Sequence, residues 1–245
     1  MPKSYALLST YPPTQCGLAT FSAALLAHLR GLGDHVCVVR VLNEHLPPGS
    51  VPRAAPEVVH DLVNGSARSA AAAADVISGF DVAIVQHEYG IYGGPDGQDL
   101  VPLLCALRVP SIAVLHTVLA RPTARQRAIL DDVIASASAV VTMTETARTR
   151  LLDIYGTDPA KVVVISTTFP HATEVLAGGA GLLVERQDAA ATASALDRVL
   201  TEPGLSARVS RHAGDLAPQL LWPAVARRYR DLAATVARSR DGAVA

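Results

Sequence analysis

Aromatic residues are scarce in this chain: Phe, Trp and Tyr make up only 4% of its 245 positions. A base-stacking surface for nucleic acid needs more of them, so no nucleic-acid partner is expected. Charge of one sign is lacking too. The 21 Lys and Arg are offset by 22 Asp and Glu, for a formal net charge of −1. Neither a polyanion nor an acidic membrane is thereby marked as a partner. Three cysteines, Cys16, Cys37 and Cys105, are too few and too scattered for a disulfide framework or a zinc site. They fit a reducing, cytoplasmic setting, and no metal is expected. Pro12-Pro13 interrupts the N-terminal apolar run, so no secretory signal is read there. No apolar stretch approaches the roughly 18 residues that would span a bilayer. A P-loop, a G-x-S-x-G elbow, an H-E-x-x-H pair and a Cys-x-x-Cys pair are all missing. The many Ala, Arg, Val and Leu with few Lys suggest a high-GC genome.

What remains is apolar. Half of the residues are hydrophobic, enough for a sizeable core. Short apolar runs at 5–9, 35–42, 81–86, 111–115, 139–143 and 161–165 read as buried strands, with a weaker one at 57–62. Segments with helical spacing alternate with them at 17–30, 66–77, 99–107, 125–137 and 145–155. A Pro-rich loop is expected at 47–56 and a Gly-rich loop at 87–97. This alternation predicts an α/β fold, a doubly wound parallel Rossmann-like sheet with helices on both faces. After Ile165 the rhythm changes. One helical turn (172–176) and one short strand (181–184) precede helices at 188–200, 206–216 and 221–236, with a frayed tail from Arg238. Two domains are therefore read, 1–165 and a mostly helical 166–245.

Ligands of open parallel sheets bind beyond the carboxyl ends of the strands, which singles out four loops. The first carries Gln15, Cys16, Gly17 and Thr20. Gly17 would let a ligand approach the backbone and leave N–H groups free at the helix start; a plain tight turn explains it equally well. The second, Gln86 to Gly94, gathers His87, Glu88, Tyr89 and Tyr92 after an apolar strand. That suits a sugar or polyol, although a solvated loop is the bland reading. The third is His116-Thr117, where an imidazole at the mouth of the sheet could take a proton or bind a hydroxyl; a structural histidine is the alternative. The fourth is Thr142 to Glu145, best explained by Thr144 capping a helix. Asp131-Asp132 reads as a solvated helix face.

Those residues resemble a known family. Tyr11-Pro12-Pro13 with Gln15-Cys16-Gly17-Leu18-Ala19-Thr20-Phe21 looks like the opening of bacterial family 4 glycosyltransferases of the GT-B fold. The stretch Gln86 to Gly94, the run Leu115-His116-Thr117-Val118-Leu119 and residues 140–155 resemble the same proteins, in the same order. The resemblance implies retaining transfer of a sugar from a nucleotide-diphosphate donor to a sugar or glycoside acceptor. The nucleotide-sugar is a substrate, and neither cofactor nor metal is needed. It implies that Gly17 and Cys16 lie near the donor diphosphate, His116 near the transferred sugar, and His87, Glu88, Tyr89 and Tyr92 on the acceptor side. A homo-oligomer is left open.

The second part resembles only the end of the family's donor-side domain. Residues 168–184, including Glu174, look like its last strand region, and 221–229 like the helix that crosses back to the first domain. Ser166-Thr167 runs straight into that ending. The stretch that carries the family's diphosphate-binding cations and paired glutamates is expected to be missing. The alternative function is accordingly a non-catalytic remnant that binds a sugar or a partner.

Overall fold

The computed structural model describes residues 4–42, 55–164 and 222–241, with a few single positions between 202 and 215. By compactness the chain divides into residues 1–165 with 226–245, and residues 166–225. The first unit is an α/β domain. Its strands are β1 (Ser4–Ser9), β2 (His35–Leu42), β3 (Val58–Val63), β4 (Val82–His87), β5 (Ser111–Leu115), β6 (Ala139–Thr142) and β7 (Val162–Val164). Its helices are α1 (Gly17–Gly31), α2 (Ala67–Ile77), α3 (Leu100–Ala106), α4 (Ala124–Ser136) and α5 (Glu145–Asp153). All seven strands pair in parallel, in the order β3-β2-β1-β4-β5-β6-β7.

Side chains alternate across the pleat, so each strand feeds two cores. Ala6, Leu8, Val39, Val41, Ala83, Val85, Ala113, Leu115 and Val140 pack in one cluster with α2, α3, α4 and α5. The intervening residues, among them Tyr5, Leu7, Val36, Val38, Ile84, Ile112 and Val114, are equally buried. On α1, Ala19, Ser22, Leu25, Leu26 and Leu29 are buried at helical spacing, and the helix lies against β1 and β2. Burial on both faces is why the strands read as continuous apolar runs rather than as alternating ones. In the C-terminal helix Trp222–Asp241, Ala226, Tyr229, Ala233 and Val236 form one buried stripe within the first unit. The single buried cation of β2, Arg40, is neutralised by a two-pronged contact with Asp61 of β3 at 2.8 and 3.0 Å.

Helix starts follow local chemistry. Ser66 and Thr144 accept from backbone N–H groups three residues on, at 3.2 and 3.0 Å. Thr123 and Gln126 form a reciprocal capping box at α4. Thr144 thus caps α5 as its sequence position suggests. One boundary differs in a way that matters. His87 does not open the following loop but ends β4, because its backbone still pairs with Leu115 of β5.

In the second unit, Leu205 is buried and Glu202 pairs with Arg208 at 2.8 Å. The expected features at 172–176, 181–184 and 188–200, Glu174, and most of 47–56 and 206–216 lie outside the described residues.

Candidate active site

The strand order reverses between β1 and β4. From β1 the chain builds outward through β2 to β3, then returns to place β4 on the other side of β1. At such a reversal the two flanking loops diverge to opposite faces and leave a crevice beyond the strand ends. The β1–α1 turn with Cys16 and Gly17 flanks it on one side, and the β4 end with Gln86, His87 and Glu88 on the other. His116 follows β5, the next strand over. Topology therefore brings three of the loops singled out by sequence to one end of the sheet.

Contacts tie them together. The His116 ring meets Phe21 of α1 edge-on, with centroids 5.1 Å apart, so the third loop touches the first turns of the first helix. His116 Nε2 lies 2.6 Å from Gln86 Oε1. Its backbone N–H donates to the His87 carbonyl at 3.1 Å. Burial pushes its pKa down to about 4. At neutral pH the ring is thus an uncharged hydrogen-bonding group.

The β4 loop is more tightly held than a solvated loop would be. Glu88 receives the Thr117 hydroxyl at 2.5 Å on one oxygen and the Tyr89 N–H at 3.0 Å on the other. One carboxylate thereby joins the second and third loops. Tyr89 donates its hydroxyl to the Gln126 carbonyl at 3.4 Å and meets the His87 ring edge-on at 5.1 Å.

His87 and Tyr92 depart from the expected acceptor contacts. His87 is 1% exposed, and its Nδ1 has no partner among the described residues. Burial, and then the nearby His116, lower its pKa to about 4. Tyr92 is 5% exposed, and its hydroxyl donates to the Gln86 carbonyl at 2.6 Å. Both sit beneath the loop. The physical reason is that the loop folds back over the strand end, so a phenol that looks free in sequence is used to satisfy a backbone carbonyl. The glycines serve the same compaction. A Cβ on Gly93 would lie 2.5 Å from Asp99 Oδ2 and 2.7 Å from the Gly65 nitrogen.

Cys16 precedes α1 as its cap. Its Sγ accepts from the Ala19 N–H at 3.4 Å and touches the Thr10 hydroxyl at 3.2 Å. Gly17 is different from Gly93: among the described residues, a Cβ there would meet nothing within 4 Å, so they leave the space over the first turn of α1 open.

Two cavities are found among the described residues, the second of them against the β4 loop at Tyr92. One of about 510 Å³ sits at the opposite end of the sheet, between Pro110, Ser138 and Ala139 and the helix residues Leu232, Thr235 and Val236. A smaller one of about 190 Å³ is bordered by Asn64, Ser66, Tyr92 and Asp99. Among the described residues no group of three His, Cys, Asp or Glu could hold a metal ion, and no helix is long and apolar enough to cross a membrane. Sequence reasoning passed over Gln86, Phe21 and Thr117 as individual site residues. Gln86 carried a usable signal, a lone amide within an otherwise apolar buried strand.

A doubly wound parallel domain whose strand order reverses between β1 and β4 is a Rossmann-like domain. The chain belongs to Glycosyltransferase Family 4, whose model matches residues 16–171, well over half of its length. Nothing among curated proteins matches it significantly. Among solved structures it is similar to a glycosyltransferase from Rickettsia africae ESF-5, at 12% identity and TM-score 0.46, covering 89% of this chain and 67% of that one. It is also similar to an alpha-glucosyltransferase in complex with UDP and a DNA containing a HMU base, at 10% identity and TM-score 0.46. That alignment covers 72% of this chain and 45% of the other, so the chain spans less than half the length of that relative.

Proposed function

We propose that this chain transfers a sugar from a nucleotide-diphosphate donor to a hydroxyl of a sugar or glycoside acceptor. The observation that carries the reading is the convergence of the Cys16-Gly17 turn, the Glu88–Thr117 link and His116 at one switch point. In this reading the diphosphate sits against the N-terminus of α1, where backbone N–H groups and the helix dipole favour an anion. The open space over Gly17 allows that approach. His116 lies beside the transferred sugar, and as a neutral imidazole it binds a hydroxyl without adding charge. Glu88 and Tyr89 take the acceptor side. His87 and Tyr92 support them from below, which revises their part from acceptor contact to loop support. Residues 1–165 are the acceptor-side domain, and 166–245 a shortened donor-side part ending in the crossing helix.

A second reading, binding without transfer, is favoured by one observation. The unit Ser166–Val225 is much shorter than the roughly 100 residues of a small complete domain. Transfer needs a second wall that closes over the donor and excludes water. Titration with UDP- and GDP-sugars, followed by addition of candidate glycoside acceptors, separates the two. Donor binding with nucleotide release on adding acceptor is expected for transfer. Binding of sugars without nucleotide release supports the second reading, and no donor binding at millimolar concentration contradicts transfer.

A further inference from the structure

We propose that Gln86 is a positioning residue for His116: its buried side-chain oxygen accepts a hydrogen bond from Nε2–H, fixes the ring as the Nε2–H tautomer, and leaves Nδ1 as the acceptor for a donor-sugar hydroxyl. The hydroxyl assignment rests on the glycosyltransferase reading above; the tautomer does not.

The geometry is specific. With the amide turned so that Oε1 faces the ring at 2.6 Å, the oxygen can only accept, which puts the hydrogen on Nε2. A neutral imidazole has one N–H, and placing it on Nε2 leaves a lone pair on Nδ1. Burial keeps the ring neutral at pH 7, so the choice between tautomers is real at working pH. The rest of the ring is held independently. Its backbone is tied to His87 and its face meets the edge of Phe21 or the reverse, which leaves rotation and tautomer for Gln86 to set.

The glutamine is also expensive for the fold to keep. It is 0% exposed, and it pairs in register with Val114 of β5. Its amide nitrogen has no partner among the described residues. A half-satisfied buried amide costs stability that an apolar side chain would not. Among the described residues its one side-chain hydrogen bond is to His116. The Gln86 backbone is fixed as well, since its carbonyl receives the Tyr92 hydroxyl at 2.6 Å. Tyr92, Gln86 and His116 thus form a chain of contacts from beneath the loop to the ring.

The test is the tautomer itself. Protein labelled with ¹⁵N-histidine is examined at pH 7 by two-bond ¹H–¹⁵N correlation, and the His116 signals are assigned by their loss in His116→Gln. The expected wild-type pattern is a protonated Nε2 and an unprotonated Nδ1. Gln86→Leu is expected to shift both nitrogens toward the average of the two tautomers, and Gln86→Glu, which keeps an acceptor oxygen, to retain the wild-type pattern. If Gln86→Leu does not fold, Gln86→Met serves in its place. A wild-type Nδ1–H tautomer, or an apolar variant with unchanged ring nitrogens, overturns the proposal. The measurement needs no donor. Absence of donor binding by the wild type would therefore contradict the glycosyltransferase reading while leaving the tautomer result to stand on its own.

Discussion

His87 and His116 are both kept neutral by the fold, and this has a measurable consequence. Each ring ordinarily titrates near 6.5 and is pushed down to about 4 by burial. The folded pKa lies below the unfolded one, so between those values the unfolded chain binds the extra proton. Stability is then fully present above about pH 6.5 and is lost as pH falls toward 4. For His87 alone the loss at the acid end amounts to roughly 3 kcal/mol. Denaturant unfolding measured from pH 7 to pH 4 should show this decline. His87→Gln should flatten it, whatever constant offset the substitution adds at pH 7. An unchanged slope in that variant would contradict the buried neutral ring. Single residues also show where sequence reading falls short. His116 could be placed by its position after an apolar run. Tyr92 could not, because an irregular loop has no period from which to read which side chain turns inward.

Among the elements, α1 and the β4 loop use glycine for opposite purposes. Gly93 is packed against Asp99 and Gly65, with no room for a methyl group. Gly17 opens a helix whose first turn is capped by Cys16 and, among the described residues, has free space above it. Gly93→Ala should therefore destabilise the protein by about 1–3 kcal/mol, as overpacking does. Gly17→Ala should leave stability unchanged or raise it by about 0.4–1 kcal/mol, yet weaken donor binding by obstructing the approach to α1. Thermal unfolding and donor titration of the two variants check both halves. A Gly17→Ala variant that binds donor as the wild type does would remove the diphosphate from this turn. The strands and helices themselves were largely legible from apolar periodicity, because burial on both faces turns strands into unbroken apolar runs. The end of β4 was misplaced for the complementary reason. His87 is polar, so it resembles loop, whereas pairing with Leu115 holds it in the sheet.

At the scale of the whole molecule, the sequence announces strands and helices but not their neighbours. That β4 returns beside β1, and not outside β3, is a long-range choice that no local pattern records. Parallel pairing puts the loops with Cys16, Gly17, Glu88 and His116 at one end of the sheet, and this choice sets those loops side by side. The order of the motifs along the chain was legible, and family membership follows from it across residues 16–171. Everything proposed for the site depends on this convergence. Its most direct test follows the His116 ring nitrogens of the wild type during titration with a UDP- or GDP-sugar. A saturable shift of the Nδ1 signal, parallel to the binding isotherm, is predicted. Saturable donor binding that leaves both His116 nitrogens unmoved would place the sugar elsewhere and contradict the site.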